Sequence, residues 1–228
     1  MKQKVLSIIT ARGGSKGLPK KNLLNFNGKP LFSWTLEASL NSQFISKTIV
    51  SSDDELILSI AKDYNSEIPL KRSKKLSGDD SNSVDVVIDI IKKFPNYDYV
   101  TILQPTSPLR TTKHINEAFN LMIKKDSSCC TSVCLVKKSP YWMYSINKKG
   151  FIEKVINSNE KYFQRQVLPE IYELNGAIYI ISVQELLRYK SLISKNSIPY
   201  IMTKETSIDI DDINDFKLAE KAHMKILS

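Results

Sequence analysis

The chain of 228 residues is predicted to be an α/β domain built on a mainly parallel sheet, with helices on both faces and a small antiparallel insertion. Three observations predict it. Short apolar, β-rich runs alternate with stretches of helical period from Val5 to Lys124, which is the pattern of a parallel sheet covered on both sides. Between residues 139 and 170 the alternation gives way to a hairpin pattern around a glycine turn. The composition, 42% hydrophobic and 25% charged, suits one domain with a real core and excludes a coiled coil, a fibre or a disordered chain.

Val5 to Thr10 reads as a buried strand, and Leu31 to Ser39 as the first helix. Lys47 to Ser51 is the next strand. Glu55 to Tyr64 is a helix with Asp53 as its expected N-cap. Ser66 to Leu70 reads as a short strand. The helix at Ser83 to Lys93 carries Val84, Val87, Ile88 and Ile91 on one face. Tyr97 to Leu103 is a strand and Thr112 to Lys124 a helix, followed by a strand at Cys130 to Val136. Tyr144-Ser-Ile and Phe151-Ile-Glu-Lys-Val flank Asn147-Lys-Lys-Gly150 as a hairpin, and Asn157 to Pro169 is polar and irregular. Glu173 to Ile181 reads as a strand, Gln184 to Tyr189 as a helix, Pro199 to Met202 as a strand, and Asp212 to Leu227 as the closing helix. The whole chain, residues 1–228, is thus expected to form a single domain, with 139–170 as an arm inserted within it.

The formal net charge of +9 admits nucleic acid, an anionic membrane or a small polyanion as partner. No aromatic residues interleave the basic clusters in the manner of an RNA-binding signature, and no apolar stretch reaches the length of a membrane span, so neither nucleic acid nor membrane is expected as a partner. The run from Val5 to Ile9 is too short for a signal peptide and is broken off by Arg12. Cys129, Cys130 and Cys134 make an odd set crowded into one strand. They are expected as reduced, buried thiols of a cytoplasmic protein. With only His114 and His223 present, a histidine-rich zinc site is not expected.

Four segments carry chemistry. Directly after the first strand, Ala11-Arg-Gly-Gly-Ser-Lys-Gly-Leu-Pro-Lys-Lys-Asn22 holds three glycines and four cations in twelve residues. Glycines let backbone N–H groups approach a polyanion, cations neutralise it, and open α/β sheets bind ligands at the carboxyl ends of their strands. The segment is neither a Walker loop nor Gly-x-Gly-x-x-Gly. Gln104 to Arg110 follows another strand, with Pro105 and Pro108 stiffening a polar loop that serves equally as a recognition loop or as a turn into the next helix. In Ser207-Ile-Asp-Ile-Asp211, Asp209 and Asp211 fall on the same side of an extended chain, where a hard cation such as Mg²⁺ relieves their repulsion. Asp212 projects the other way and suits the cap of the last helix. Asn175 to Tyr179 is a strand in which Gly176 allows a close backbone approach; on the residues alone, Asn175 and Tyr179 read more readily as core or rim.

Arg12-x-x-Ser15-Lys16-Gly17 with Lys20-Lys21-Asn22, Leu103-Gln-Pro-Thr-Ser-Pro-Leu-Arg110, Gln164-Arg-Gln166, Asn175-Gly-Ala-Ile-Tyr179 and Ser207-Ile-Asp-Ile-Asp211 occur in that order over nearly the whole chain. Together they resemble the acylneuraminate cytidylyltransferases, the CMP-sialic acid synthetases. The resemblance implies a Rossmann-like nucleotidyltransferase sheet, CTP and a 2-keto sugar acid as substrates, Mg²⁺ as cofactor, and a CMP-sugar and pyrophosphate as products. It implies catalytic roles for Arg12, Lys21, Asp209 and Asp211, with the two aspartates holding the metal. The nucleotide is expected at Arg12, Ser15, Lys21, Asn22, Arg72, Ser81 and Ser83. The sugar is expected at Gln104, Thr106, Ser107, Asn175 and Tyr179, and at Arg165, whose forked N–H donors suit the sugar carboxylate. The same resemblance implies a homodimer in which the 139–170 arm reaches the partner's site. One departure stands out: some relatives carry a lysine two residues after the proline matching Pro140, where this chain has Trp142. N-acetylneuraminate is the first expected acid, with legionaminate, pseudaminate and, at greater distance, the eight-carbon acid KDO as alternatives. A non-catalytic nucleotide- or RNA-binding module would account for the charge and the glycine loop, but not for the paired aspartates.

Overall fold

A computed structural model of the chain describes residues 3–14, 17–65, 67–73, 76, 82–157 and 167–227. The elements run β1 (Val5–Thr10), β2 (Asn25–Phe26), β3 (Lys29–Pro30), α1 (Leu31–Leu40), β4 (Lys47–Ser52), α2 (Glu55–Tyr64), β5 (Pro69–Lys71), α3 (Ser83–Lys93), β6 (Tyr99–Ile102), α4 (Thr112–Lys124), β7 (Cys129–Leu135), β8 (Tyr144–Ile146), β9 (Ile152–Lys154), β10 (Tyr172–Ser182), α5 (Val183–Tyr189), β11 (Ile198–Ile201) and α6 (Ile213–Leu227).

Seven strands form one sheet in the order β11-β7-β10-β6-β1-β4-β5. It is parallel except at β10, which runs antiparallel to both β6 and β7. The central strand shows why the sheet is buried on both sides. Val5 and Ile9 of β1 enter one core with Phe32 and Leu36 of α1, Ile57 of α2 and Ile115 and Phe119 of α4. Leu6 and Ile8 enter the other core with Val84, Val87 and Ile90 of α3 and Leu186 of α5. A near-continuous apolar run, interrupted in β1 by buried Ser7 bonded to Ser39, is what a strand covered on both faces needs.

A third, smaller core decides the geometry of the site. Phe26 and Leu31 pack with Leu109, Ile210, and Phe216 and Ala219 of α6. It joins the region after the glycine loop, the start of α1, the β6–α4 loop and the end of the chain. The two-residue β2–β3 hairpin in it went unread in the sequence, since its strands are too short to show a period.

The cap of α2 is a correction. Asp54, not Asp53, accepts the Leu56 and Ile57 N–H groups at 2.9 and 3.2 Å. The fifth strand is also displaced, to Pro69–Lys71. Asp212 caps α6, its Oδ1 accepting from the Asn214 and Asp215 N–H groups at 2.7 and 3.0 Å. The expected hairpin is β8–β9, closed by a turn in which Gly150 N–H bonds the Asn147 carbonyl at 2.9 Å. The three cysteines are free and buried, and burial pushes the Cys130 thiol up to about 12. Among the described residues no helix is long and apolar enough to cross a membrane.

Candidate active site

The motif residues gather at one end of the sheet. Ala11, Asp53, Arg72 and Gln104 stand just past the carboxyl ends of β1, β4, β5 and β6, where open α/β sheets hold ligands. Because β10 is antiparallel, its first half arrives at this same end: Tyr179 pairs with Ile102, so residues 175–178 run on beside Gln104. A register shift between Leu174 and Tyr179 marks a bulge there. Gly176 sits in it at φ +71°, and a β-carbon on it would lie 2.4 Å from Gln104 Oε1. The close approach read for Gly176 is thus made to Gln104.

The glycine turn and the aspartate pair, 190 positions apart, meet. Lys21 Nζ donates to the Ile210 carbonyl and lies 3.2 Å from Asp211 Oδ1. A β-carbon on Gly17 would stand 2.5 Å from the Asp211 carbonyl oxygen, so the turn can touch the aspartate segment only because that residue is glycine. The Ile210 N–H bonds the Thr106 carbonyl at 2.9 Å, which ties in the Gln104–Arg110 loop. Ile210 is the anchor, fully buried in the third core. It leaves Asp209 half-buried and Asp211 exposed on either side of it.

Burial holds the Asp209 carboxyl above the usual carboxylate range, against a hydrogen bond from Thr106; Asp211 adds to the rise and Lys21 opposes it. Its Oδ1 is buried without a hydrogen-bond partner. An orphaned carboxylate oxygen beside a second, exposed carboxylate fits a hard, oxygen-preferring cation. No group of three or more ligating residues occurs among the described residues, so such an ion would be completed by substrate phosphate and water, as Mg²⁺ commonly is.

Among the residues expected at the nucleotide, Asn22 Nδ2 donates to the Arg12 carbonyl at 2.8 Å and its Oδ1 is buried without a partner. Arg72 is held by Ser51, with Nη2 on the Ser51 carbonyl at 2.8 Å and Nε on the hydroxyl at 3.2 Å. Burial lowers its pKa, nearby Asp53 raises it, and Arg12 lowers it again. Asp53, freed from capping, accepts the Gly13 N–H at 2.9 Å. It is a site residue the sequence reading missed; the signal was that only one of two adjacent aspartates can cap α2.

Gln104 and Tyr179, expected at the sugar, line a cleft of about 290 Å³ together with Ser83, expected at the nucleotide, and with Thr10, Val84 and Ile102, closed by Ser191, Leu192 and Ile193. The last three, between α5 and β11, carry no polar motif and were invisible in the sequence. A larger hollow of about 640 Å³ opens at the amino ends of the strands, between Lys4, Phe44, Lys93 and Tyr97, and no motif residue lines it.

Two of the residues expected at the sugar, Asn175 and Ser107, are buried. Asn175 is buried, and its amide is spent internally: Oδ1 accepts from Ser132 Oγ at 2.6 Å and Nδ2 donates to Ser207 Oγ at 2.9 Å. These bonds brace the start of β10. Ser107 is fully buried, its hydroxyl without a partner. Thr106 is half-buried beside Asp209, and Ser83 is exposed at the start of α3. Ser15, Ser81 and Arg165 lie outside the described residues.

The architecture defines a class first. The fold is similar to the solved CMP:2-keto-3-deoxy-manno-octonic acid synthetase complexed with CTP, at TM-score 0.74 and 16% identity over 98% of this chain and 100% of that one. It is similar as well to 4-diphosphocytidyl-2C-methyl-D-erythritol synthase of Anaerococcus prevotii, at TM-score 0.66 and 12% identity over 97% and 96%. At such identities these likenesses establish an α/β nucleotidyltransferase fold alone.

A family model described as Cytidylyltransferase matches residues 6–225, and the chain belongs to that family. It is 36% identical to an N-acylneuraminate cytidylyltransferase of Escherichia coli over 96% of its own length and 52% of the relative's. To the CMP-N,N'-diacetyllegionaminic acid synthase of Legionella pneumophila it is 35% identical, over 96% of this chain and 95% of that one. To a pseudaminic acid cytidylyltransferase of Campylobacter jejuni it is 31% identical, over 95% of each. The chain thus spans about half the length of the first relative and nearly all of the other two.

Proposed function

We propose that this protein transfers the CMP group of CTP to the anomeric hydroxyl of a nonulosonic acid, N-acetylneuraminate or a close analogue such as legionaminate or pseudaminate, releasing pyrophosphate. One observation carries the reading: the cationic glycine turn and the aspartate pair meet at Lys21 and Asp211, 3.2 Å apart, at the carboxyl end of the sheet. A triphosphate needs cations and backbone donors on one side and a metal-holding carboxylate pair on the other, and both stand here.

The roles divide accordingly. Lys21 and Arg12 neutralise the phosphates; Lys21 turns from Asp211 to the ligand as the triphosphate enters. The glycine turn presents the Gly14 backbone N–H, while Asp53 accepts the Gly13 N–H and holds that residue in place. Gln104 and Tyr179 orient the sugar acid in the cleft beside Thr10 and Ser83. The sugar hydroxyl forms a bond to the α-phosphorus as the bond to the β-phosphate oxygen breaks in line, and the hydroxyl proton passes to water. Positioning and charge neutralisation supply most of the rate in such transfers. Asp209 and Asp211 would hold Mg²⁺, which when bound supplies charge neutralisation at the phosphates.

We place the protein as a homodimer through the arm at 139–170. Ile146, Phe151 and Ile152 of the β8–β9 hairpin are 75%, 68% and 69% exposed, with half-exposed Trp142, Met143 and Tyr144 beside them. An apolar patch of this kind marks a protein contact. The proposed sugar-carboxylate role of Arg165 belongs to this arm.

A pyrophosphate-release panel crossing four nucleoside triphosphates with N-acetylneuraminate, N,N'-diacetyllegionaminate, pseudaminate and KDO tests the function. Turnover with CTP and one nine-carbon acid, dependent on Mg²⁺ and lost in Asp211→Ala without a change in fold, is expected. Turnover with KDO alone would move the substrate to the eight-carbon class. Salt-sensitive RNA retention without pyrophosphate release would replace the enzyme with a binding module.

A further inference from the structure

The residue that ends the Gln104–Arg110 loop has no part in the chemistry above, yet it is the largest fully buried side chain among the described residues. Arg110 is 1% exposed, and none of its hydrogen-bond partners is a carboxylate. Its Nη2 donates to Thr35 Oγ1 at 2.6 Å and to the Gln104 carbonyl at 3.5 Å, and its Nε donates to the Ala177 carbonyl at 3.3 Å. Nη1 is buried without a partner.

A buried charge without a counter-ion opposes folding, and an apolar side chain would fill the same volume without that penalty. Burial draws the guanidinium down to about 9, which registers the same penalty. Packing therefore does not explain Arg110; the choice of its acceptors does. Each lies around Gln104. One is the Gln104 carbonyl itself. The second, Thr35 Oγ1, also donates to that carbonyl at 3.3 Å, so α1 and Arg110 hold the same oxygen. The third is the carbonyl of Ala177, next to Gly176, against which the Gln104 side-chain amide rests. A rigid planar fork can hold the backbone of Gln104 and the strand under its side chain in one arrangement, which a single ammonium or an apolar group cannot.

We propose that Arg110 is a positioning residue: with Thr35 it clamps Gln104 between α1 and β10 and so fixes the amide that meets the sugar acid in the cleft. The kinetic part rests on the function proposed above; the positional part does not.

Two full-length variants test it, Arg110→Lys, which keeps charge without the fork, and Thr35→Val, which removes the shared hydroxyl. In pyrophosphate-release assays with CTP and whichever nine-carbon acid the unmodified protein turns over, both are expected to raise the KM for the acid about tenfold or more, as misplacement of a binding group does, with the KM for CTP within about twofold. In protein labelled with ¹⁵N at glutamine, the Gln104 side-chain amide resonance, assigned by its absence from Gln104→Met, is expected to move in both. Equal rises in the two KM values, or an unmoved Gln104 resonance, would overturn the proposal. If the unmodified protein turns over no acid, the functional reading fails by itself, and the amide resonance still decides whether Arg110 and Thr35 position Gln104. If Arg110→Lys does not fold, Thr35→Val decides alone.

Discussion

Asp209 shows how one side chain couples stability to the proposed chemistry. Its folded pKa stands above the unfolded value because burial and Asp211 disfavour the anion. The folded state therefore keeps the proton to higher pH, and stability is lost as pH rises from the ordinary carboxylate value through the raised one. Asp209→Asn removes that loss. Without Mg²⁺ the variant is expected to melt no lower than the parent at pH 7, and the parent alone is expected to gain melting temperature when Mg²⁺ and CTP are added. Calorimetry with and without the ligands checks both, and an equal gain in the two proteins would remove the metal from Asp209. Gly17 makes a second residue-scale case. Because its β-carbon would meet the Asp211 carbonyl oxygen, Gly17→Ala must push the turn away from the aspartates. A displacement of about 1 Å costs on the order of 10²-fold in turnover, so kcat is expected to fall by about that factor while the melting temperature barely changes.

At the scale of elements, the start of α4 carries an unusual capping box. Thr111 Oγ1 accepts the His114 N–H at 3.4 Å, and His114 Nδ1 accepts the Thr111 N–H at 3.2 Å. Only neutral imidazole has that lone pair. Burial lowers the His114 pKa; Glu117 opposes the shift, and Arg110 and Lys113 reinforce it. The cap is thus intact above the ordinary histidine value and is lost as pH falls through the lowered one. His114→Gln keeps an acceptor that does not titrate. Its stability is expected to fall less steeply than the parent's between pH 7 and 5, with the difference within the roughly 0.5–2 kcal/mol that a cap contributes. Urea titrations at the two pH values measure it.

Element boundaries show what local sequence can carry. Asn82 caps α3 by a local rule, and the helix begins where apolar period begins. The choice between Asp53 and Asp54 was not local. It depended on Gly13, which lies across the mouth of the sheet and takes Asp53 for itself. The short β2–β3 hairpin likewise exists because Phe26 and Leu31 are drawn into a core shared with α6.

For the molecule as a whole, the hairpin arm sets the expected assembly. Among the described residues nothing covers the apolar patch containing Ile146, Phe151 and Ile152. Sedimentation is expected to give about twice the 26.0 kDa chain mass. The double substitution Ile146→Ser and Phe151→Ser is expected to yield a folded monomer with weakened affinity for the sugar acid, since Arg165 belongs to the same arm. A monomeric parent protein would end this expectation.

The sequence by itself determined the helices and the longer strands, though not the β2–β3 hairpin, together with the parallel character of the sheet and the identity of the charged and glycine residues, because burial period and charge are properties of neighbours along the chain. Only the tertiary structure decided that Asn175 and Ser107 are buried, that Asp53 serves the glycine turn, that Ser191 to Ile193 wall the cleft, and that Arg110 lies buried against Gln104. Each of these depends on which strand ends meet, and above all on the antiparallel β10 arriving beside β6. Contacts between residues tens of positions apart are set by packing three cores at once, and no local pattern records them.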